Sequence, residues 1–285
     1  MTIIARCAFP AAGTPVTLAV SGGADSLALL VLATEAELVA TAVHVDHGLR
    51  VGSADEAGVV RDAAAQYGLA FRTERVEVGD GPNLEARARA ARRAVLPPDA
   101  LTGHTADDQA ETVLLNLMRG SGLDGLRGIG ERERRPLLAL RRTETQALCA
   151  SVGLTPVVDA SNVDPRFTRN RVRHELLPLF GDIGQRDPVP LLCRLADLVT
   201  RDTAALDDIA SSVDPSDVKS LLEVPDAVAR RALREWLRPH FEGYAPDAAG
   251  LERVMAVARG EAVGTEVVAG VSVRRTAGRL RIVRG

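Results

Sequence analysis

Residues 21–26, Ser-Gly-Gly-Ala-Asp-Ser, combine the residue types that bind a phosphate group. They follow the apolar run 16–20, and from Asp25 onward apolar residues recur at helical spacing. A helix that begins here leaves backbone N–H groups unpaired, and their dipole favours an anion. The glycines let the backbone approach that anion closely, and the serines add hydroxyl donors. We therefore predict a phosphate-binding loop formed by Ser21, Gly22, Gly23, Ala24, Asp25 and Ser26.

Two common phosphate motifs do not account for this loop. A Walker A loop requires Gly-Lys-Ser/Thr after its glycines, whereas the one lysine of the chain is Lys219. Residues 120–125 match Gly-x-Gly-x-x-Gly, but they follow a predicted helix, whereas a dinucleotide fingerprint follows a strand. We interpret 120–125 as a flexible loop.

Arginines concentrate between residues 119 and 174, where eleven stand against six acidic residues in a chain of net charge −3. Arg169, Arg171 and Arg173 alternate there, and Arg134 and Arg135 precede a proline. Arginine forks match phosphate oxygens, so the local charge of +5 predicts a nucleic-acid surface. A solvated run of charges would give the same pattern, and that alternative stays open.

Cysteine usage and hydropathy limit the class of protein. Cys7, Cys149 and Cys193 lie far apart, which argues against a zinc knuckle, an iron–sulfur site or a disulfide framework. Three isolated thiols are typical of a reducing cytoplasm. No apolar run approaches the ~20 residues that a membrane span needs. We expect a cytoplasmic protein with no membrane partner.

The elements that must position these residues follow from the apolar pattern. Besides 16–20, strands are predicted at 38–45, 71–78, 100–103 and 155–158. Helices are predicted from Asp25 and at 53–67, 83–96, 106–119 and 143–152. This alternation predicts a Rossmann-like parallel α/β sheet with helices on both faces. Because ligands bind at the carboxyl ends of such strands, Ser21, Asp46 and His104 should share one rim.

The pattern changes after residues 181–190, which are rich in Gly, Pro and Asp and indicate a linker. Beyond them, helices are predicted at 191–211, 225–239 and 246–259, and a small hairpin at 265–283. A length of 285 residues also favours two domains. We predict a catalytic domain over 1–186 and a smaller, mainly helical domain with a terminal β-hairpin over 187–285.

Several stretches together resemble tRNA(Ile)-lysidine synthetase, a family of the PP-loop ATP pyrophosphatases. Besides the loop, they are His44-Val-Asp-His-Gly-Leu-Arg50, Asn83-Leu-Glu-Ala-Arg-Ala-Arg89, Gly103-His-Thr-Ala-Asp-Asp-Gln-Ala-Glu-Thr112 with 119–126, Arg135-Pro-Leu-Leu138, Asp159-x-Ser-Asn162 and Arg169-Asn-Arg-Val-Arg-His174. The resemblance is close over 16–178 and looser over 190–285. We expect a short form without the last C-terminal domain of the longer members.

The resemblance implies a reaction that uses ATP, Mg²⁺, L-lysine and a CAU-anticodon tRNA(Ile). The wobble cytidine attacks the α-phosphate of ATP, pyrophosphate leaves, and the lysine side chain then displaces AMP to give lysidine. The helical domain is expected to bind tRNA, and a homodimer is compatible with the family. Residues 21–26 and His104 are the expected ATP contacts.

The resemblance also assigns candidate roles to other residues. The catalytic candidates are Asp25, Asp46, Glu85, Asp108 and Glu111, and the general base is sought among Asp46, Glu85 and Glu111. The Mg²⁺ candidates are Asp25, Asp107 and Asp108. The RNA-binding candidates are Arg135, Arg169, Arg171 and Arg173. Carboxylates in a first helical turn also simply stabilise the helix, and His44 on a buried strand has an equally good structural role.

Two other readings remain open at this point. A different PP-loop enzyme, either a tRNA thiolase or an ATP-dependent amide-forming synthetase, would share the glycine loop. Many thiolases need paired cysteines, which the spacing here does not offer. A non-catalytic nucleotide sensor would also keep the loop, but it would not need the acidic and arginine motifs together. RNA-dependent ATP turnover separates such a sensor from both enzymes.

Overall fold

A computed structural model describes residues 2–46, 48, 53–77, 84–157, 163–241 and 246–284. The chain divides into two compact units, Met1–Asp197 and Leu198–Gly285. The predicted boundary at 186/187 lies eleven residues earlier than this division. Among the described residues, no helix combines the length and the hydropathy that crossing a membrane requires.

The first unit is built on a four-stranded parallel sheet. Its strands are β1 (Pro15–Ala19), β2 (Val39–Asp46), β3 (Ala70–Arg75) and β4 (Leu101–Thr102), in the order β3-β2-β1-β4. The register places Ala19 beside both Val43 and Thr102. The three strands that carry the loop at residue 21, His44 and His104 therefore end side by side, as the parallel-sheet prediction requires.

Helices cover the sheet and supply most of its core. They are α1 (Ala24–Glu35), α2 (Ser53–Gln66), α3 (Leu84–Val95), α4 (Ala106–Met118), α5 (Leu123–Leu126), α6 (Arg142–Ser151), α7 (Thr168–Arg171) and α8 (Leu177–Gly184), with a π-helical turn over Val172–Leu176. Helix α1 is apolar on all sides, and Leu27, Leu29, Leu30 and Leu32 are completely buried. A helix of this kind belongs inside the layered core.

Three local predictions for this unit are wrong. The glycine-rich segment 120–125 is not all loop, because α5 begins at Leu123. Residues 155–157 form no strand, although Val157 N–H donates to the Gly22 carbonyl. The predicted linker at 181–190 is mostly helical, since α8 continues to Gly184 and the next helix begins at Pro188.

The long helix α9 (Pro188–Ser211) contains the division between the two units. Its first half belongs to the first unit, where Val189, Leu192 and Ala196 pack in a cluster with Ala110 and Val113 of α4. This packing explains why the compact unit extends past the predicted boundary.

The second unit combines helices with a three-stranded antiparallel sheet. Its further elements are α10 (Val218–Leu222), α11 (Asp226–Leu237), α12 (Ala248–Arg259), β5 (Gly264–Val268), β6 (Val271–Thr276) and β7 (Arg279–Arg284). The hairpin predicted at 265–283 has two strands, whereas the structure has three strands in this region. Val273 and Leu280 turn inward and share a core with Leu233 and Val254. The side chain of Lys219 on α10 is 82% exposed, and its Nζ lies 3.8 Å from Glu223 Oε1.

Candidate functional site

The predicted phosphate loop lies where β1 ends and α1 begins. Gly22 has a φ of +85°, a conformation that glycine adopts without strain. Ser26 Oγ donates to the Gly23 carbonyl (2.8 Å) and accepts from Ser21 N–H (3.1 Å). The structure thus brings residues 21–26 together as one turn at a helix N-terminus, the arrangement that favours an anion.

Gly103 at the end of β4 is a position that motif reasoning did not single out. A Cβ atom built on it would lie 2.4 Å from the Asp25 carbonyl oxygen. Only glycine lets β4 approach the loop this closely. The cleft in front of these strands has a volume of about 760 Å³ and is lined by Ser21, Gly23–Ser26, His104 and Asp108, among others. That size is typical of a nucleotide-sized ligand site.

Asp25 lies in this cleft at the start of α1. One oxygen accepts from the Thr145 hydroxyl, and the other accepts from Arg142 Nε at 3.2 Å. Burial raises the pKa of the Asp25 carboxyl, although Thr145 and Arg142 both act against that effect. Asp25 is therefore a better proton acceptor than an exposed aspartate.

Two carboxylates of α4, Asp108 and Glu111, point inward from the same side of the helix. Asp108 accepts from Thr105 N–H (2.9 Å) and Oγ1 (3.0 Å) at the helix start. Burial alone would raise the pKa of Asp108, but the Arg142 and Arg169 guanidiniums outweigh it and lower that pKa. Glu111 has no exposed surface at all.

Asp107, which the sequence groups with Asp25 and Asp108 as a Mg²⁺ candidate, does not join them. Its oxygens accept from Arg141 Nε (3.1 Å) and from Arg142 N–H (2.8 Å), outside the cleft lining. Asp107 therefore positions the start of α6.

Three arginines neutralise the inward carboxylates. Arg142 comes from the start of α6, Arg169 from α7, and Arg173 from the π-helical turn. Glu111 accepts from Arg142 (3.1 Å), Arg169 Nε (2.7 Å) and Arg173 Nε (2.6 Å). We call Asp25, Asp108, Glu111, Arg142, Arg169 and Arg173 the ion cluster. Its three positive and three negative side chains balance, which makes their burial tolerable.

Arg142 is the residue of the ion cluster that the predicted site residues do not include. Its guanidinium donates to Asp25, Asp108 (2.9 Å) and Glu111 at once. Burial opposes its charge, but Asp108, Glu111 and Asp25 together raise the pKa of Arg142. The available signal was its place two residues after Leu140 and directly before the predicted helix 143–152, and this signal does not reveal the contacts.

The histidines differ in role. His104 lines the cleft, and its Nδ1 lies 2.8 Å from the Thr102 hydroxyl. Burial lowers the pKa of His104 to about 4, so the ring is neutral near pH 7 and suits a hydrogen bond to a ligand. His44 also lines the cleft and is 2% exposed; its Nδ1 lies 3.0 Å from the Val20 carbonyl, and its Nε2 has no hydrogen-bond partner among the described residues.

Two of the candidate bases, Asp46 and Glu85, are not part of the ion cluster as the structure describes it. Asp46 ends β2, and its Oδ1 accepts from Gly48 N–H at 2.8 Å. Asp46 is absent from the cleft lining, so the shared rim of the sequence prediction consists here of Ser21 and His104. The side chain of Glu85 lies outside the described residues.

The four arginines predicted to contact RNA fall into two groups. Arg169 and Arg173 are turned inward onto Glu111, and Arg135 is 9% exposed beside Glu131. Arg171 alone of the four is exposed, at 61%, and pairs with Glu175 one helical turn away at 2.8 Å. Of this set, Arg171 alone is mostly exposed at the surface.

The predicted Mg²⁺ ligands do not form one site. Asp107 faces Arg141, and the oxygens of Asp25 and Asp108 already accept hydrogen bonds from arginine, threonine or backbone groups. Across the described ranges, no three Asp, Glu, His or Cys side chains come together in a way that could hold a metal ion. The predicted ligand set therefore does not fit a resident metal.

Comparisons with known proteins agree with this geometry. Two family models match the chain: a PP-loop domain over residues 4–180 and a TilS substrate binding domain over residues 217–281. The first contains the loop, the cleft and the ion cluster. The second lies within the helical and antiparallel unit.

Curated relatives cover most of the chain. The tRNA(Ile)-lysidine synthase of Nocardia farcinica is 44% identical over 248 residues, which covers 80% of this chain and 77% of the relative. The protein of the same name from Salinispora tropica is 41% identical over 304 residues, which covers 94% of this chain and 90% of the relative.

A solved structure supports the fold alone. The U34-tRNA thiolase NcsA from Methanococcus maripaludis superposes with a TM-score of 0.56 at 16% identity. The superposition covers 70% of this chain and 77% of that one. The parallel sheet with flanking helices is thus a fold that a solved structure also has.

Proposed function

We infer the reaction from one premise: this chain belongs to the tRNA(Ile)-lysidine synthase family and is an ATP-using ligase. In the proposed reaction, O2 of the wobble cytidine in a CAU anticodon attacks the α-phosphate of ATP, and pyrophosphate leaves. The side-chain amine of lysine then bonds to C2, and the C2–O2 bond breaks to release AMP. The product is lysidine, which changes the codon from AUG to AUA and the amino acid from methionine to isoleucine.

The phosphate loop is proposed to bind the ATP phosphates and the departing pyrophosphate. Backbone N–H groups at the start of α1 and the hydroxyls of Ser21 and Ser26 supply donors that need no rearrangement. His104, neutral near pH 7, is proposed as a further contact to ATP. The turn formed by residues 21–26 at the start of α1 is the observation that carries this proposal, because it faces a cleft of nucleotide size.

The same geometry changes the choice of general base. Glu111 is fully buried, accepts from three arginines and is absent from the cleft lining, so a substrate amine in the cleft does not reach it. Asp25 faces the cleft and has a raised pKa. We therefore propose that Asp25 accepts the proton of the attacking amine.

Magnesium enters the proposal only as the ion that accompanies ATP, held by phosphate oxygens and water. The change to be tested is removal of divalent ions with EDTA. We expect pyrophosphate release to stop and to return when Mg²⁺ is added. Unchanged release after chelation would remove Mg²⁺ from the proposal.

The deciding experiment measures pyrophosphate release and labelled lysine incorporation on an unmodified CAU-anticodon isoleucine tRNA. Wild-type chain should give both, and neither should occur with the methionine tRNA of the same anticodon. Asp25→Ala should abolish AMP formation without unfolding the protein. Asp62→Ala is the control, since this side chain is 74% exposed on α2, and it should retain AMP formation.

The outcomes separate the remaining readings. Pyrophosphate release without lysine incorporation would keep the PP-loop chemistry and require another nucleophile. No RNA-dependent release would refute the proposed reaction. The relatives' names do not favour a thiolase or an amide-forming synthetase. The homodimer stays a prediction, which sedimentation velocity would test.

A further inference from the structure

The terminal sheet, β5-β6-β7, carries two arginines directly opposite each other on its outward face. In β6, Val271 and Val273 are buried and Arg274 is exposed, whereas in β7 Leu280 is buried and Arg281 is exposed. The register pairs Arg274 directly with Arg281 across the two strands. On the other side of Arg274, β5 places Gly264, which carries no side chain. The two residues therefore face each other across neighbouring strands, and both are exposed.

Like charges directly opposite in a sheet destabilise it, because their Cβ atoms lie only about 5 Å apart. The other arginines of this sheet do have partners. Arg279 reaches Asp214 (3.0 Å), Arg275 donates to the Ala258 carbonyl (2.7 Å), and Arg284 contacts His240 (2.9 Å). Within the described part of the chain, Arg274 and Arg281 make no ion pair and no side-chain hydrogen bond. An anion between them would relieve the repulsion.

The net charge of the second unit also differs between its terminal sheet and the rest of its sequence. Residues 264–285 contain five arginines and one glutamate, a local charge of +4. The preceding stretch, 198–263, contains twelve acidic residues and eight basic ones, a local charge of −4. The unit as a whole is neutral, so its positive charge is concentrated in the terminal sheet. Such a concentration is the electrostatic pattern of a phosphate-binding surface.

We propose that Arg274 and Arg281 form a clamp for the phosphodiester backbone of the substrate tRNA. Two adjacent arginine forks present coplanar donors that match phosphate oxygens. Ser272 and Thr276, next to Arg274 on alternate positions of β6, add hydroxyl donors on the same face. This proposal rests on the proposed function and assigns the backbone contact to a sheet face of the second unit.

The test compares two double variants that each remove two positive charges. Arg274→Ala with Arg281→Ala removes the clamp. Arg230→Ala with Arg259→Ala is the matched control, because these side chains already pair with Asp226 and Glu252. Binding of unmodified tRNA(Ile) transcript is measured by fluorescence anisotropy at several salt concentrations. Thermal melting of each full-length variant checks that it is folded.

The clamp variant should bind tRNA more weakly, on the order of tenfold, and the slope of log K against log salt should fall by about 1 to 2. The control should keep the wild-type slope. Arg274→Lys with Arg281→Lys, which retains charge without forks, should give an intermediate affinity.

Equal slopes for the clamp variant and wild type would overturn the proposal, as would equal losses in the clamp and control variants. Lysidine formation by wild-type chain at saturating tRNA is measured in parallel. Its absence would refute the proposed function, whereas its presence together with an unchanged slope would refute the clamp alone.

Discussion

At the scale of single residues, Arg142 determines how the ion cluster is arranged. One guanidinium bridges three carboxylates from two helices, α1 and α4. Removing it leaves Asp25, Asp108 and Glu111 close together with one positive charge fewer. Breaking a buried ion network in this way is far more costly than losing a surface ion pair.

We expect Arg142→Ala to lose pyrophosphate release and about 3 kcal/mol of unfolding free energy, the usual cost of an uncompensated buried charge. Arg142→Lys should recover part of the stability but little of the activity, because an ammonium cannot bridge three acceptors in a plane. Urea unfolding and the pyrophosphate assay measure the two effects. An alanine variant as stable as wild type would show that the cluster does not need this bridge.

His104 makes the stability of the protein depend on pH. Its pKa is about 4 in the folded chain because of burial, against about 6.5 when exposed. Between pH 4 and pH 6.5 the unfolded chain binds more protons at this histidine than the folded chain does, so protonation favours unfolding. The contribution of His104 to the free energy of unfolding is therefore greatest above about pH 6.5 and declines as the pH falls towards 4. Urea midpoints from pH 7 to pH 5 should fall less in His104→Gln than in wild type. His174→Gln, at an exposed position, should follow wild type.

At the scale of elements, the segment 168–176 separates arginines that alternate in the sequence. An extended chain would present Arg169, Arg171 and Arg173 together, but helical geometry puts residues four apart on one side. Arg169 and Arg173 therefore both reach Glu111, and Arg171 points out towards Glu175. The π-helical turn at 172–176 is of a kind often found at functional sites.

This separation predicts opposite phenotypes for neighbouring arginines. Arg171→Ala should weaken tRNA binding and lower its salt slope by about 1, with normal thermal stability. Arg173→Ala should reduce thermal stability and pyrophosphate release, with a slope near that of wild type, because its charge is spent on Glu111. Anisotropy titrations and melting curves on both single variants provide the comparison. A reversed pattern would mean that the two side chains exchange places when RNA binds.

The parallel sheet and its main helices were predictable because their apolar patterns are long and regular. β2 and α4, for example, lie within one or two residues of the prediction. The failures occur where a short segment depends on tertiary contacts. Residues 181–190 look like a linker by composition, yet α8 and α9 are helical where apolar residues such as Leu177 and Val189 are buried against α4. The loop was predictable from its motif, whereas the ion cluster requires three distant segments to meet.

At the scale of the whole molecule, the division within α9 makes a prediction about truncation. A chain that ends at Asp197 keeps Val189, Leu192 and Ala196 in their cluster with α4, whereas one that ends at residue 186 loses all three. We expect the longer fragment to melt at a higher temperature, since these side chains bury apolar surface worth several kcal/mol in total. Calorimetry on the two fragments tests this, and equal melting temperatures would favour the earlier boundary. Both fragments should bind tRNA poorly.

The exposed Lys219 has a chemical consequence for an enzyme of this kind. The proposed adenylated cytidine is an electrophile that primary amines attack, yet Lys219 offers the one lysine amine of the entire chain. Attack on the adenylated cytidine by an amine of the protein itself would crosslink protein to tRNA. Such crosslinks are restricted to this lysine amine and the N-terminal amine. In reactions starved of free lysine, peptide mass spectrometry should find any nucleotide adduct at those two amines, and a chain with additional surface lysines should trap more of its own substrate.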